Sequence, residues 1–383
     1  MSSSTRSLDA GLPAIAPGTT AAVTGATGFI GGRLVERLAE GGGEVTCLVR
    51  GLANARLHRA GARIRSLDLA DADAVRAALR GIEVVFHLAY DWGDTAWNVR
   101  ALRALIEGCR ANGCTRLVHA SSFVVYEIPS EGELTEDSPA TTATGGYAHT
   151  KLALETELLR ATREQGVPGT TVQPTIVYGP QSQPWTVDPA DMLRYGTVVL
   201  PGAGEGICNA VYVDDVVSAM ILAAQRPEAV GQRYLVSGPP ITWRQFYEGM
   251  ARAAGAEGPE YWPAERIARA NARPRLLRLA ADPERVVRGI AGKGPVRKLV
   301  KVGLRALPGR ARHVVQDRLY APATRRRGFT HVPDPGRLGF LQGRATIHSA
   351  KARAELGYAP AFDFDTGMVP TARYLKDTYP KSD

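Results

Sequence analysis

The chain has 383 residues, 44% of them hydrophobic and 22% charged, with four cysteines and a formal net charge of +9. At that length a large core can be buried, and the apolar share is that of an ordinary globular protein. No run approaches the ~18 apolar residues that cross a bilayer, Met1–Thr20 lacks the basic start and apolar middle of a signal peptide, and Cys47, Cys109, Cys114 and Cys208 show neither a C-x-x-C pair nor a His cluster for a metal. A cytoplasmic chain with free thiols is expected.

In chain order, Ser-rich residues 1–18 read as a disordered arm. Thr20–Thr24 reads as a strand, Gly25, Gly28 and Gly31 as a turn, and Arg33–Ala39 as a helix. Glycines at this strand-to-helix corner allow a close backbone approach, so that helix-end N–H groups and the helix dipole can meet a pyrophosphate. The spacing is G-x-x-G-x-x-G. The second strand, Val45–Val49, is followed by Arg50, where an NAD-preferring site would carry an acid; the arginine suits the extra phosphate of NADP. Arg33 is a candidate for a second phosphate contact. A strand Ile64–Leu67, a helix Ala72–Leu79 and a strand Val84–Leu88 follow. The loop Ala89–Trp97 then leaves a strand's C-terminal end, where ligands sit in open α/β sheets, and carries Tyr90, Trp92 and Trp97. An amphipathic stretch Val99–Ala111 and a strand Arg116–His119 lead to Ser121 and Ser122. Alternation of this kind argues a doubly wound parallel sheet.

Tyr147 and Lys151 lie four apart on a helix expected to run to Gln165, and so share one face. The Lys151 ammonium is expected to lower the Tyr147 pKa by stabilising the phenolate, which suits a proton exchanged with a carbonyl or alcohol oxygen. Ser122 would position that oxygen. Glu155, one turn further, reads either as a partner of Lys151 or as part of a solvated face.

With these residues the chain resembles the extended short-chain dehydrogenase/reductase family, the group of nucleotide-sugar epimerases, dehydratases and ketone reductases. The likeness runs through Thr24-Gly-Ala-Thr-Gly-Phe-Ile-Gly31, Asp68-Leu69, Val85-Phe-His-Leu-Ala89, Asn98, Ser122, Tyr147 with Lys151, Pro174-Thr-Ile-Val-Tyr-Gly-Pro180, Asn209–Asp215 and Leu356-Gly-Tyr358. It implies a Rossmann core with a smaller C-terminal substrate part, catalysis by Ser122, Tyr147 and Lys151, and cofactor contacts from Gly25, Thr27, Gly28, Phe29, Ile30, Gly31, Arg50, Asp68, Leu69, Leu88, Ala89, Asn98, Lys151, Pro174 and Ile176. Asp68 and Leu69 match the position that meets adenine. Asn98 matches a proton-relay position, or caps a helix. Phe123-Val124 stand where sugar-nucleotide dehydratases carry an Asp-Glu pair, so elimination is not supported; decarboxylation is not either. Gln173 for the usual arginine, Tyr212 for histidine and Glu127 for glycine weigh against a nucleotide sugar. The aromatic residues Tyr90, Trp92, Phe123 and Trp185 suit a flat or apolar ketone. Asp214 and Asp215 read as helix caps.

The resulting expectation is an NADP(H)-dependent ketoreductase or alcohol dehydrogenase for a bulky cyclic or aromatic substrate. Two alternatives stand beside it: a 4-epimerase holding NAD, and a non-catalytic cofactor-binding adaptor. The family often forms homodimers, and nothing in the sequence decides this. Residues 19–180 are expected to form the dinucleotide-binding core and 181–383 mainly the substrate part, with a return to the core near 207–240. An insertion at 265–340 has no family counterpart. Ala264–Ala345 holds 20 Lys/Arg against 5 Asp/Glu, a net +15, so the rest of the chain carries −6. Val296, Leu299, Val300, Leu304 and Leu307 share one helical face opposite Arg297, Lys298, Lys301 and Arg305. Such a helix would serve as a lid, lie on an anionic membrane surface, or bind an acidic partner. Nucleic acid fits poorly, because aromatic residues are sparse there.

Overall fold

Short apolar runs bounded by glycine and polar turns fold here as buried strands, and the periodic stretches between them fold as helices that cover the sheet. The computed structural model describes residues 11–51, 54–272, 323–325 and 328–379. Two compact units are formed: residues 1–185, 207–241 and 344–370 in the first, and 186–206, 242–343 and 371–383 in the second. The segment 344–370, expected with the C-terminal part, therefore belongs to the first unit.

Unit 1 carries β1 (Thr20–Thr24), α1 (Phe29–Glu40), β2 (Glu44–Val49), α2 (Ala55–Arg59), β3 (Arg63–Ser66), α3 (Ala72–Ala78), β4 (Val84–His87), α4 (Thr95–Asn112) and β5 (Arg116–Ala120). A 3-10 turn Phe123–Val125, α5 (Gly146–Gln165), β6 (Gly169–Pro174), β7 (Ile176–Tyr178), β10 (Ala210–Tyr212), α7 (Val213–Gln225) and β11 (Arg233–Val236) follow. Seven strands form one sheet in the order β11-β6-β5-β4-β1-β2-β3, with every pairing parallel. The order reverses between β1 and β4, the switch point at which such sheets bind ligands beyond their strand ends. The core behind it is aliphatic, with Leu48, Val85, Leu102, Leu105, Leu117, Leu154 and Leu158 fully buried.

Residues 11–18 depart from the expected disordered arm. Ile15 is buried, and the Pro13 and Ala14 carbonyls accept hydrogen bonds from Arg37 (3.2 Å) and Gln225 (2.7 Å). An apolar side chain and satisfied carbonyls hold this stretch in place. Asp214 and Asp215 do not cap α7, whose N-cap is Tyr212. Asp214 pairs with Arg33 of α1, and Asp215 accepts the Ala361 (2.7 Å) and Phe362 (3.3 Å) N–H groups.

Unit 2 contains a three-stranded parallel sheet, β13-β8-β14, from Glu260–Trp262, Gly196–Pro201 and Phe329–His331. Helices α6 (Asp188–Tyr195), α8 (Trp243–Ala254), α9 (Ala264–Ala272) and α10 (Pro335–Gln342) belong to it. Trp243, Phe246 and Tyr247 of α8 are buried in its core. The amphipathic helix expected at 296–307 lies outside the described residues, as does most of the basic segment.

Candidate active site

The glycine turn is built by close approach. Gly25 has φ +67°, and a Cβ there would lie 2.6 Å from the Leu88 carbonyl carbon; a Cβ on Gly31 would lie 2.3 Å from the Gly25 oxygen. The turn thus presses β1's end onto the segment after β4, at the switch point. Thr24 Oγ1 joins the two, accepting the Leu88 and Ala89 N–H groups at 3.1 Å each and pairing with His87 Nδ1 at 2.8 Å. With two N–H groups already donated to it, the hydroxyl gives its own proton to Nδ1, which assigns the His87 proton to Nε2.

The opening of α1 is suited to an anion. Its N-cap, Gly28, has no side chain to satisfy the first-turn N–H groups, and no acid stands in the first turn. Thr27 and Gly28 are exposed, and Phe29 and Ile30 are half-buried. Free N–H groups, the helix dipole and a cradle that a Cβ would fill are what a dinucleotide pyrophosphate requires.

Arg50 follows β2 with its side chain 65% exposed, donating to Asp91 Oδ2 at 3.0 Å and lying 5.4 Å above the Trp97 ring. Trp97 in turn donates its indole N–H to Asp68 Oδ1 at 2.8 Å. The Ala70 N–H and then that indole hold the Asp68 carboxyl below its ordinary range. Leu69 beside it is buried. Arg33 is not free for a phosphate: its guanidinium pairs with Asp214, with Glu36 (3.3 Å) and with Glu40 (3.4 Å).

Asn98 does not cap α4, whose N-cap is Asp94. Its Nδ2 donates to the Asp91 (2.8 Å) and Asp94 (3.0 Å) carbonyls and its Oδ1 accepts the Asp91 N–H (2.8 Å). Asn98 thus pins the loop 91–94. Pro174 ends β6 and Ile176, buried, opens β7.

Ser122, Tyr147 and Lys151 come together at the ends of β5 and α5. Burial pushes the Tyr147 phenol up to about 12, with the Ser122 hydroxyl pulling the other way. The expected lowering by Lys151 is not what this arrangement gives. Lys151 Nζ donates to the Ala120 carbonyl at 2.7 Å and lies 5.8 Å from the centre of the Tyr147 ring and 5.0 Å from that of Tyr90. It meets ring faces, so desolvation of the phenolate wins. Burial also lowers Lys151 itself to about 8, with Glu155 pulling the other way.

Three aromatic rings meet at this point. Trp92 stacks on Tyr147 at 5.0 Å and 22°, and Tyr90 sits edge-on to both, at 5.2 Å from Tyr147 and 5.0 Å from Trp92. Trp92 is nevertheless 80% exposed. Phe123 is buried in the 3-10 turn after Ser122. Trp185 is half-buried in the turn Gln183–Val187.

Below Lys151 lies a polar network that the sequence does not announce. Glu155 is 1% exposed, which removes the solvated-face alternative. Gln173 Nε2 donates to both Glu155 oxygens, at 2.9 and 3.0 Å, and Tyr126 donates to Gln173 Oε1 at 2.9 Å. Gln173 is thus an interior residue of β6, and Tyr212 packs against Tyr178 and Phe362. His87 and His119, paired across β4 and β5, stack at 5.2 Å and are buried. His119 in β5 and Gln173 in β6, polar side chains within strands of a doubly wound sheet, are the signal that could have located these groups.

The pattern of the NAD dependent epimerase/dehydratase family matches residues 21–237. A 2-alkyl-3-oxoalkanoate reductase from Shewanella oneidensis is 29% identical over 57% of this chain, which spans 62% of that protein's length. A UDP-glucose 4-epimerase from Mycolicibacterium smegmatis is 34% identical over 63% of this chain and 85% of that one. Among solved structures, the UDP-glucose 4-epimerase of Thermotoga maritima with UDP-glucose superimposes with a TM-score of 0.63 at 21% identity, covering 94% of this chain and 99% of that one, a likeness of fold. The chain belongs to the NAD dependent epimerase/dehydratase family, and with it to the extended short-chain dehydrogenases/reductases.

Proposed function

We propose that the protein is an NADP(H)-dependent ketone reductase or alcohol dehydrogenase acting on a bulky, cyclic or aromatic substrate. The observation that carries this reading is the ring stack: an exposed indole lying flat on the candidate catalytic phenol offers a planar apolar wall where a substrate carbonyl must come. The Shewanella relative, named for a 2-alkyl-3-oxoalkanoate, supports a ketone as the reacting group.

When bound, the nicotinamide supplies or accepts the hydride. The turn Gly25–Gly31 and the α1 N-terminus would hold its pyrophosphate, Arg50 the adenosine phosphate of NADP, and Lys151 a ribose hydroxyl. Ser122 would hold the substrate oxygen, and Tyr147 Oη would give it a proton as the carbon is reduced. Burial keeps that proton in place to about pH 12, so the phenol stands in the acid form that reduction needs. Arg50, itself exposed, would have to exchange the half-buried Asp91 for phosphate, a swap that costs little.

The second reading, a 4-epimerase, rests on the Mycolicibacterium relative. One assay separates the two: absorbance at the nicotinamide band with NADPH or NADH, against cyclic and aromatic ketones and UDP-sugars. Net NADPH oxidation by a ketone, lost in Tyr147→Phe while NADPH still binds, is the expected result. Interconversion of a UDP-sugar without net cofactor change would overturn it in favour of the epimerase, and full biological function without reductase activity in Tyr147→Phe would favour the adaptor.

A further inference from the structure

Lys151 is 4% exposed and, among the described residues, its ammonium has a single hydrogen bond, to the Ala120 carbonyl. A buried ammonium needs a counter-charge, or it gives up its proton. The groups facing it are Tyr90 and Tyr147, both presenting ring faces, the neutral buried pair His87 and His119, and Glu155 one turn further along α5. Glu155 is thus the one carboxylate among the groups facing Lys151. It lies about 6 Å further along the axis on the same face of the helix.

Glu155 is itself held by a neutral partner. Gln173 reaches both of its oxygens and is oriented by Tyr126, and no ammonium or guanidinium stands within ion-pair distance of Glu155 among the described residues. Arg233 acts on it only through space. A cation in the place of Gln173 would neutralise the carboxylate locally. An amide fixes its position and leaves its charge directed at Lys151.

We propose that Glu155 is a positioning residue for Lys151: its buried carboxylate, fixed by Gln173 and Tyr126, is the counter-charge that keeps the Lys151 ammonium protonated and aimed at the cofactor ribose. The proposal rests on the assignment of Lys151 as a cofactor contact. The directions of titration agree with it. Glu155 raises Lys151 against burial, and Lys151 lowers Glu155 against burial. The pair is charged on both sides only between the raised Glu155 value and about pH 8, so the ammonium is lost as pH rises through about 8.

The test follows the Lys151 ε-carbon by NMR in lysine-labelled, cofactor-free protein, with Lys151→Met to assign the signal, beside NADPH binding by fluorescence from pH 6 to 9.5. In wild type both are expected to break near pH 8. Glu155→Gln, which keeps the shape and a hydrogen bond to Gln173, is expected to move both breaks down by about one to two pH units, the scale on which a nearby opposite charge shifts a titrating group. If that variant does not fold, Gln173→Met, which strips the carboxylate of its two hydrogen bonds, should move them the same way by less. A Lys151 midpoint unchanged in these variants, or affinity lowered equally at every pH, would overturn the proposal and leave Glu155 a packing residue. A midpoint that shifts while neither NADPH nor NADH binds would support the charge coupling and refute the cofactor assignment instead.

Discussion

Trp92 combines 80% exposure with a flat stack on the half-buried Tyr147 phenol. A single exposed aromatic needs no special account, and an aromatic pair of this kind adds about 0.5–1.5 kcal/mol to stability. If the indole is instead a wall for substrate, its removal should be felt in binding. Trp92→Ala is expected to lower unfolding free energy by at most about 1 kcal/mol, to leave NADPH affinity unchanged, and to raise KM for the ketone about five- to thirty-fold, the loss of about 1–2 kcal/mol of apolar contact. Steady-state kinetics beside thermal denaturation check this; a large loss of stability with KM intact would make the ring a structural cover. At this scale Tyr147, Lys151 and Ser122 were legible, because i,i+4 spacing and a strand end fix where they meet. The environment that tunes them was not. The spacing that puts Glu155 on the Lys151 face also allows it to face water, and only the arrival of Gln173 from β6 decides for burial.

The strand-turn-helix element β1–α1 offers a contrast between neighbouring glycines. In a helix, alanine is favoured over glycine by about 1 kcal/mol, so propensity alone makes both Gly31→Ala and Gly32→Ala stabilising. The contacts separate them. A Cβ at Gly31 would meet backbone, the Gly25 oxygen at 2.3 Å, whereas at Gly32 it would meet the Arg56 guanidinium at 2.8 Å, the end of a flexible side chain. Gly31→Ala should therefore destabilise the fold despite its better propensity and abolish dinucleotide binding, while Gly32→Ala should remain within about 1 kcal/mol of wild type in chemical denaturation. Equal effects would mean that the turn relaxes freely. The strands β1 to β5 were readable from the alternation of short runs with helical stretches, and α1, α3, α4 and α5 from their periodicity. Helix α2 was not: it has five residues and a single buried apolar side chain, Leu57, and it is set by the Asn54 side chain accepting the Leu57 N–H.

For the whole molecule, the parallel pairing within the sheet follows from the alternation along the chain, but the order of its seven strands and the membership of the two units do not. The chain enters unit 2 at residue 186, leaves it at 207, returns at 242, leaves again at 344 and returns at 371. Each passage is a change of tertiary partner, which local pattern does not encode. Every candidate cofactor contact named here lies in unit 1, so bound cofactor should stabilise that unit by mass action. A ligand at about 100 times its Kd contributes about 2.7 kcal/mol, and calorimetric scans should show a rise in Tm that is larger with NADPH than with NADH at equal concentration if Arg50 meets the adenosine phosphate. Arg50→Asp removes that cation and sets a second acid beside Asp91. Since the Arg50–Asp91 pair joins a half-buried acid to an exposed arginine, its loss should cost the unliganded protein no more than about 1 kcal/mol. The shift caused by NADPH should then fall below that caused by NADH. A proportional fall for both would place the phosphate elsewhere, and because Arg33 is already tied to Asp214, Glu36 and Glu40, it would argue for NAD as the working cofactor.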